Sequence, residues 1–230
     1  MDRERSGPGR LSARERKARL REHLAAGRLE AAASMAEEGH QVVGSLISLT
    51  YDAEPLIAWR AVEAAGLAAA RVGARDPRAV RRYLRRLFWL ITEESGGICW
   101  YAPQAMAEIA RTDPHHEDFV PIIMNLINEM ADEDLDHFRP GILWAIGRLG
   151  PLAGENIDDV LASLDAALSH PEAQVRGLAA WAMGTTGQGA RVAIRPQLLD
   201  DEGPVRLYGG GTFTETTVSA LAGEAAARSG

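Results

Sequence analysis

Between Glu93 and Pro103 the chain reads Glu-Glu-Ser-Gly-Gly-Ile-Cys-Trp-Tyr-Ala-Pro, gathering two carboxylates, a hydroxyl, a thiol and two aromatic rings into eleven residues. The backbone N–H groups of Gly96 and Gly97 ahead of a helix would suit an anion, with Glu94 and Ser95 as polar neighbours and Trp100 and Tyr101 as an apolar platform. Glu93 and Glu94 oppose an anion at that place. The same residues also fit a glycine-permitted turn whose aromatics fill a core.

A second concentration is the run Arg71, Arg75, Arg78, Arg81, Arg82, Arg85 and Arg86, opposed only by Asp76 and set against an apolar side of Val80, Tyr83, Leu84 and Leu87. Such a face can track phosphates, with Arg78, Arg81, Arg82, Arg85 and Arg86 as the contacts, or it can be a solvated or partner-facing surface. The pair His115-His116 reads as capping and surface, because adjacent residues in a first helical turn point in different directions and no second ligand pair follows at i+4. Cys99, the single cysteine, cannot form a disulfide within the chain. Between Ile98 and Trp100 it reads as a small core residue. No metal and no cofactor is expected, and no Ser-His-Asp pattern, GxxxxGK loop or GxGxxG fingerprint assigns a catalytic residue.

The elements that carry these residues repeat. Ala61–Gly66, Ala105–Ala110, Ile142–Gly147 and Ala179–Gly184 superimpose without gaps, their last residues 44, 37 and 37 apart. Each is a small-plus-apolar stripe ending in Gly or Ala, which lets a neighbouring helix come close. Seven residues before the last three endings stand Pro103, Pro140 and Gly177, which read as helix starts. Partner helices show as apolar stripes at Leu84, Leu87, Phe88 and Ile91, at Ile122, Ile123, Leu126, Ile127 and Met130, and at Val160, Leu161, Leu164 and Leu168. Start signals agree: Ser12 with Glu15 spells a capping box, and Asp76-Pro77, Asp113-Pro114 and His170-Pro171 each set a proline at a helix entrance. Only near the end does the pattern change. Val205–Tyr208, three glycines and Thr212–Val218 predict a β-hairpin, followed by a helix from Val218 to Arg228.

Helical pairs at a period near 40 residues resemble HEAT repeats. The run from Leu164 through Pro171, Val175 and Arg176 to Trp181-Ala182-Met183-Gly184 is similar to the HEAT-like repeats of phycobilin lyases and many bacterial proteins, and the segments Glu93–Pro103 and Val205–Phe213 resemble a bacterial HEAT-repeat family of unknown function. The likeness covers residues 41 to about 206. The first unit lacks the Val-Arg pair, and the second has the glycine-containing turn in its place. The resemblance implies an all-α, right-handed α-solenoid of four to five HEAT-like pairs, with a small C-terminal hairpin and capping helix. The expected divisions are a disordered tail over 1–11, an N-terminal helical cap over 12–40, the array over 41–203, and the hairpin with its helix over 204–230. Stacking in register would put the turns within successive units along one edge. A composite site of Glu94, Ser95, Gly96, Gly97, Trp100, Tyr101, His137, Arg139, His170, Arg176, Arg206 and Tyr208 is then expected. The competing reading of Arg139 and Arg176 is that they pair with carboxylates or helix carbonyls nearby.

Composition bounds the function classes. With 46% hydrophobic and 25% charged residues over 230, the chain is neither wholly disordered nor fibrous. No apolar run is long enough to span a bilayer, so no membrane partner is expected. Met1–Arg10 is charged, with no apolar stretch after it, and predicts a loose tail and a cytoplasmic location. Residues 1–92 carry 17 basic and 11 acidic groups, whereas 93–165 carry three arginines against 15 acids, a local charge of −12. That block and the pI near 5.4 argue against a nucleic-acid duplex lying along the whole chain. The expected function is a non-catalytic scaffold binding a protein segment or ligand at the groove and the Glu93–Pro103 edge. The alternatives are a lyase-like or chromophore-handling enzyme with a small-molecule pocket at that edge, and nucleic-acid binding through the Arg71–Arg86 face.

Overall fold

The computed structural model describes residues 11–92, 100–129 and 136–228, and the tail, Glu94, Ser95, Gly96, Gly97 and Cys99 lie outside them. The described residues form helices α1 (Ala13–Ala25), α2 (Leu29–Ser34), α3 (Gln41–Leu49), α4 (Pro55–Gly73), α5 (Pro77–Thr92), α6 (Ala102–Ala110), α7 (Val120–Glu129), α8 (Arg139–Leu149), α9 (Leu161–Ala167), α10 (Ala173–Thr185), α11 (Gly189–Ala193) and α12 (Pro196–Leu199). A two-stranded antiparallel hairpin, β1 (Pro204–Gly209) and β2 (Thr212–Thr217), precedes the last helix, α13 (Val218–Ala227). The protein is thus mostly helical with one small hairpin near its C-terminus.

Local signals set the helix ends. Ser12 and Glu15 form a reciprocal capping box on α1, and prolines open α4, α5, α6 and α8. The His170-Pro171 entrance differs from expectation: α10 begins only at Ala173, because His170 Nδ1 accepts from the Glu172 N–H and holds a turn ahead of the helix. Alternate helices make a row in which α4 packs on α6, α6 on α8, α8 on α10 and α10 on α13, with α3, α5, α7, α9 and α11 packed beside them. The row depends on missing side chains. A Cβ on Gly66 would lie 2.6 Å from the Glu108 carbonyl oxygen, one on Gly147 2.1 Å from the Trp181 ring, and one on Gly184 2.8 Å from the Ala225 Cα.

The hairpin does not stay beside its sequence neighbours. Gly210 and Gly211, at φ 56° and 79°, make a two-residue turn closed to L side chains, which pairs Tyr208 with Phe213. From there β1 runs across the helical row. Val205 fills the space left by Gly177 on α10, Trp144 on α8 donates its indole N–H to the Tyr208 carbonyl at 2.9 Å, and Glu63 on α4 accepts from the Tyr208 hydroxyl at 2.8 Å and from the Gly211 N–H at 2.9 Å. Arg60 completes the tie, donating to the Gly211 carbonyl and to the Leu24 and Ala25 carbonyls at the end of α1. Burial and the Glu63 carboxylate push the Tyr208 phenol far up, so it stays a donor.

Two buried polar sites lie under this framework. Glu108 on α6 is wholly buried and accepts from Arg111 at 2.7 and 3.0 Å and from Arg148 at 2.5 Å. His116, expected at the surface, is 1% exposed, and neither of its ring nitrogens has a hydrogen-bond partner among the described residues. The short 3-10 turn Pro114–Phe119 rolls it inward while His115 stays outside on Asp113. Burial lowers its pKa below the usual histidine value, more than Asp113 nearby raises it. A histidine harder to protonate folded than unfolded contributes stability that is complete above about pH 6.5 and is lost as pH falls below it. The melting temperature is therefore expected to drop between pH 7 and 5.5 more steeply for the wild type than for His116→Leu, and parallel curves would refute this role.

Candidate functional site

Three turns of the row converge on one cleft of about 470 Å³. Thr50, Tyr51 and Asp52 come from the connection between α3 and α4, Trp100 and Tyr101 from the start of α6, and His137, Pro140 and Gly141 from the start of α8. Trp59 on α4 and Gln104 on α6 reach it from within their helices. Proline openings place the aromatic residues, since a helix that begins at Ala102-Pro103 leaves Trp100 and Tyr101 in the turn just before it.

The walls are aromatic. Trp100 stacks on Phe138 at 5.1 Å, with His137 at 4.6 Å, yet stays 55% exposed. Tyr51 is 54% exposed. Deeper, Trp59 meets Tyr101 edge-on at 5.6 Å and continues inward against Trp144, Tyr208 and Phe213, so the cleft's inner wall is anchored on the hairpin. Burial raises the Tyr101 phenol above its usual range and keeps it neutral.

The polar lining includes the Asp52 carboxylate and the Gln104 amide. Asp52 receives two hydrogen bonds from Arg21, at 2.7 and 3.2 Å, and one from the Glu54 N–H at 3.1 Å. The Arg21 bond holds its carboxyl below the usual range. Arg21 also pairs with Glu54, so two carboxylates share one guanidinium. Gln104 is 4% exposed, and its Oε1 has no hydrogen-bond partner among the described residues. Gly141 makes room for that amide, because a Cβ there would fall 2.4 Å from Gln104 Nε2.

Of the expected composite site, the cleft unites Trp100, Tyr101 and His137. Tyr208 reaches it only through Trp59, being 2% exposed itself. Arg139 opens α8 but is not among the described lining residues. Arg176 takes the structural role: it pairs with Asp201 at 2.7 Å and donates to the His170 and Pro171 carbonyls, tying the α9–α10 turn to the chain before the hairpin. Arg206 lies 3.8 Å over Phe213 and pairs with Glu215 across the strands. Tyr51, Asp52, Trp59 and Gln104 carried no motif. The one readable signal was Gln104, a polar residue inside the otherwise apolar and small run Ala102–Ala107.

The arginine run divides in two. Arg71 pairs with Glu30, Arg75 donates to the Ala36 carbonyl, and Arg81 pairs with Asp118 while lying 5.3 Å from the Phe119 ring centre. Arg78, Arg82, Arg85 and Arg86 are exposed along α5 with no ion pair among the described residues.

No family model matches the chain. Over 104 residues it is 32% identical to an uncharacterised protein of Archaeoglobus fulgidus, a match taking in 45% of this chain and 51% of that protein. The chain thus aligns with about half the length of this relative.

Proposed function

We propose that this protein is a non-catalytic binding module built on a right-handed array of HEAT-like helical pairs, and that the cleft at Trp100 receives a segment of another protein. The row α4, α6, α8, α10 and α13, joined through Gly66, Gly147 and Gly184, supports the array. The hairpin lying across that row leaves the turn edge as the receiving surface. One observation carries the binding reading: Trp100 and Tyr51, two large amphipathic side chains, stand more than half exposed in one cleft. Exposed aromatic side chains rimmed by polar groups are the usual anchors of protein recognition.

The test compares wild type with a Trp100→Ala/Tyr51→Ala variant, in capture of proteins from cells that express the chain and in direct titration of the captured partner. Both side chains are more than half exposed, so the melting temperature should change little. Loss of even one such anchor is worth about 2 kcal/mol, so the partner's affinity should fall at least about thirtyfold. Equal affinity for the two proteins would remove the cleft from the binding surface.

A further inference from the structure

The lining of the cleft joins a buried amide oxygen, a carboxylate and aromatic rings, and this set bears on the chemistry of the occupant. A buried amide oxygen without a donor is unfavourable by about 1–3 kcal/mol until something supplies an N–H or O–H. Gln104 Oε1 is such an oxygen. Trp59, Trp100, Tyr101 and Tyr51 line the same cleft, and aromatic rings attract cations. Asp52 adds a carboxylate, and the set Arg21, Asp52 and Glu54 is left with one negative charge. No Lys or Arg is among the described lining residues. The stretch 93–165, which supplies Trp100, Gln104 and His137, carries −12 overall by sequence. Elsewhere the hollow of about 580 Å³ beside Leu29 and Leu67 has no unpartnered buried side-chain polar atom among its described lining residues, Glu63 being engaged by the hairpin and Glu30 by Arg71.

Resting on the binding reading above, we infer that the cleft takes an organic cation with N–H donors on an aliphatic stem, an ammonium or guanidinium group. It would donate to Gln104 Oε1 and Asp52 while its stem lies against Trp100 and Pro140. Two sources share this chemistry, the lysine or arginine side chain of a partner segment and a free polyamine. A volume of about 470 Å³ admits either.

The full chain is titrated, with tryptophan emission and calorimetry as readouts, against N-acetyl-arginine methylamide, N-acetyl-lysine methylamide, spermidine, and the neutral analogues N-acetyl-citrulline methylamide and N-acetyl-leucine methylamide. At least one cation should bind saturably and tenfold or more tighter than the citrulline compound. That binding should fall at least tenfold in Gln104→Leu and in Asp52→Asn, both checked for an unchanged circular dichroism spectrum. Gln104→Leu leaves the Arg21 pair intact, so it keeps the test valid where Asp52→Asn disturbs folding. Tighter binding of the amino-acid probes assigns the cation to a partner segment, and tighter binding of spermidine assigns it to a polyamine. Neutral probes binding as well as the cations, with loss in Trp100→Ala, would overturn the inference and leave the binding reading standing. No binding by any probe, together with partner affinity unaffected by Trp100→Ala, would overturn both.

Discussion

Replacing Glu108 with alanine is expected to lower the stability of the fold by about 3 kcal/mol, the low end for breaking a buried ion pair by removing one partner. The carboxylate is wholly buried and serves both Arg111 and Arg148, whose side chains are 30% and 23% exposed. Its loss leaves two part-buried guanidinium groups without their shared carboxylate. Arg148 lies 5.4 Å from the Trp144 ring centre, which offsets only a small part. Glu108→Gln keeps the volume and one acceptor oxygen, so it should cost less than the alanine variant. Urea denaturation of the three proteins decides the matter. A shift under about 1 kcal/mol for alanine would mean that the arginines find other partners.

Trp144→Ala should be at least as damaging, by about 3–5 kcal/mol, because a ring only 1% exposed is removed from the junction of α4, α8 and the hairpin. Trp144→Phe separates packing from hydrogen bonding. It retains an aromatic ring but loses the N–H that bonds the Tyr208 carbonyl, for about 1 kcal/mol beyond the change in ring volume. The sharper readout is amide exchange in β1, which should accelerate in both variants more than exchange in α6. Uniform acceleration along the chain would show that Trp144 supports the core without docking the hairpin in particular.

Local chemistry made the helices and the hairpin readable. The Ser12 and Glu15 box, the prolines opening α5, α6 and α8, and the Gly210-Gly211 turn act over a few residues, so the sequence displays them directly. The endings in glycine predicted close helix contacts, and Gly66, Gly147 and Gly184 make them. Part of the site was also visible, because Trp100 and Tyr101 stood out in an unusual turn. The remainder was hidden for two reasons. Trp59 occupies a helix position that looks like core, and only the neighbouring turns decide that it faces a cleft. The bonds from Glu63 to Tyr208 and Gly211 join residues 145 and 148 apart, a pairing that no local period can announce. His116 was misplaced because a 3-10 turn rotates its residues differently from the α-helix that the proline suggested.

That long tie alters how the molecule comes apart and how it assembles. A row of helices touching only their neighbours can fray from either end, each unit lost by itself. Here the strap from α10 to α4 makes the last elements a condition for the first, since Arg60 joins the hairpin turn to the end of α1. Loosening at the C-terminus therefore uncovers Trp59 and the inner wall of the cleft at the opposite end of the chain. Closing so distant a loop also comes late in folding, so the cleft is complete only once the hairpin has been made and docked.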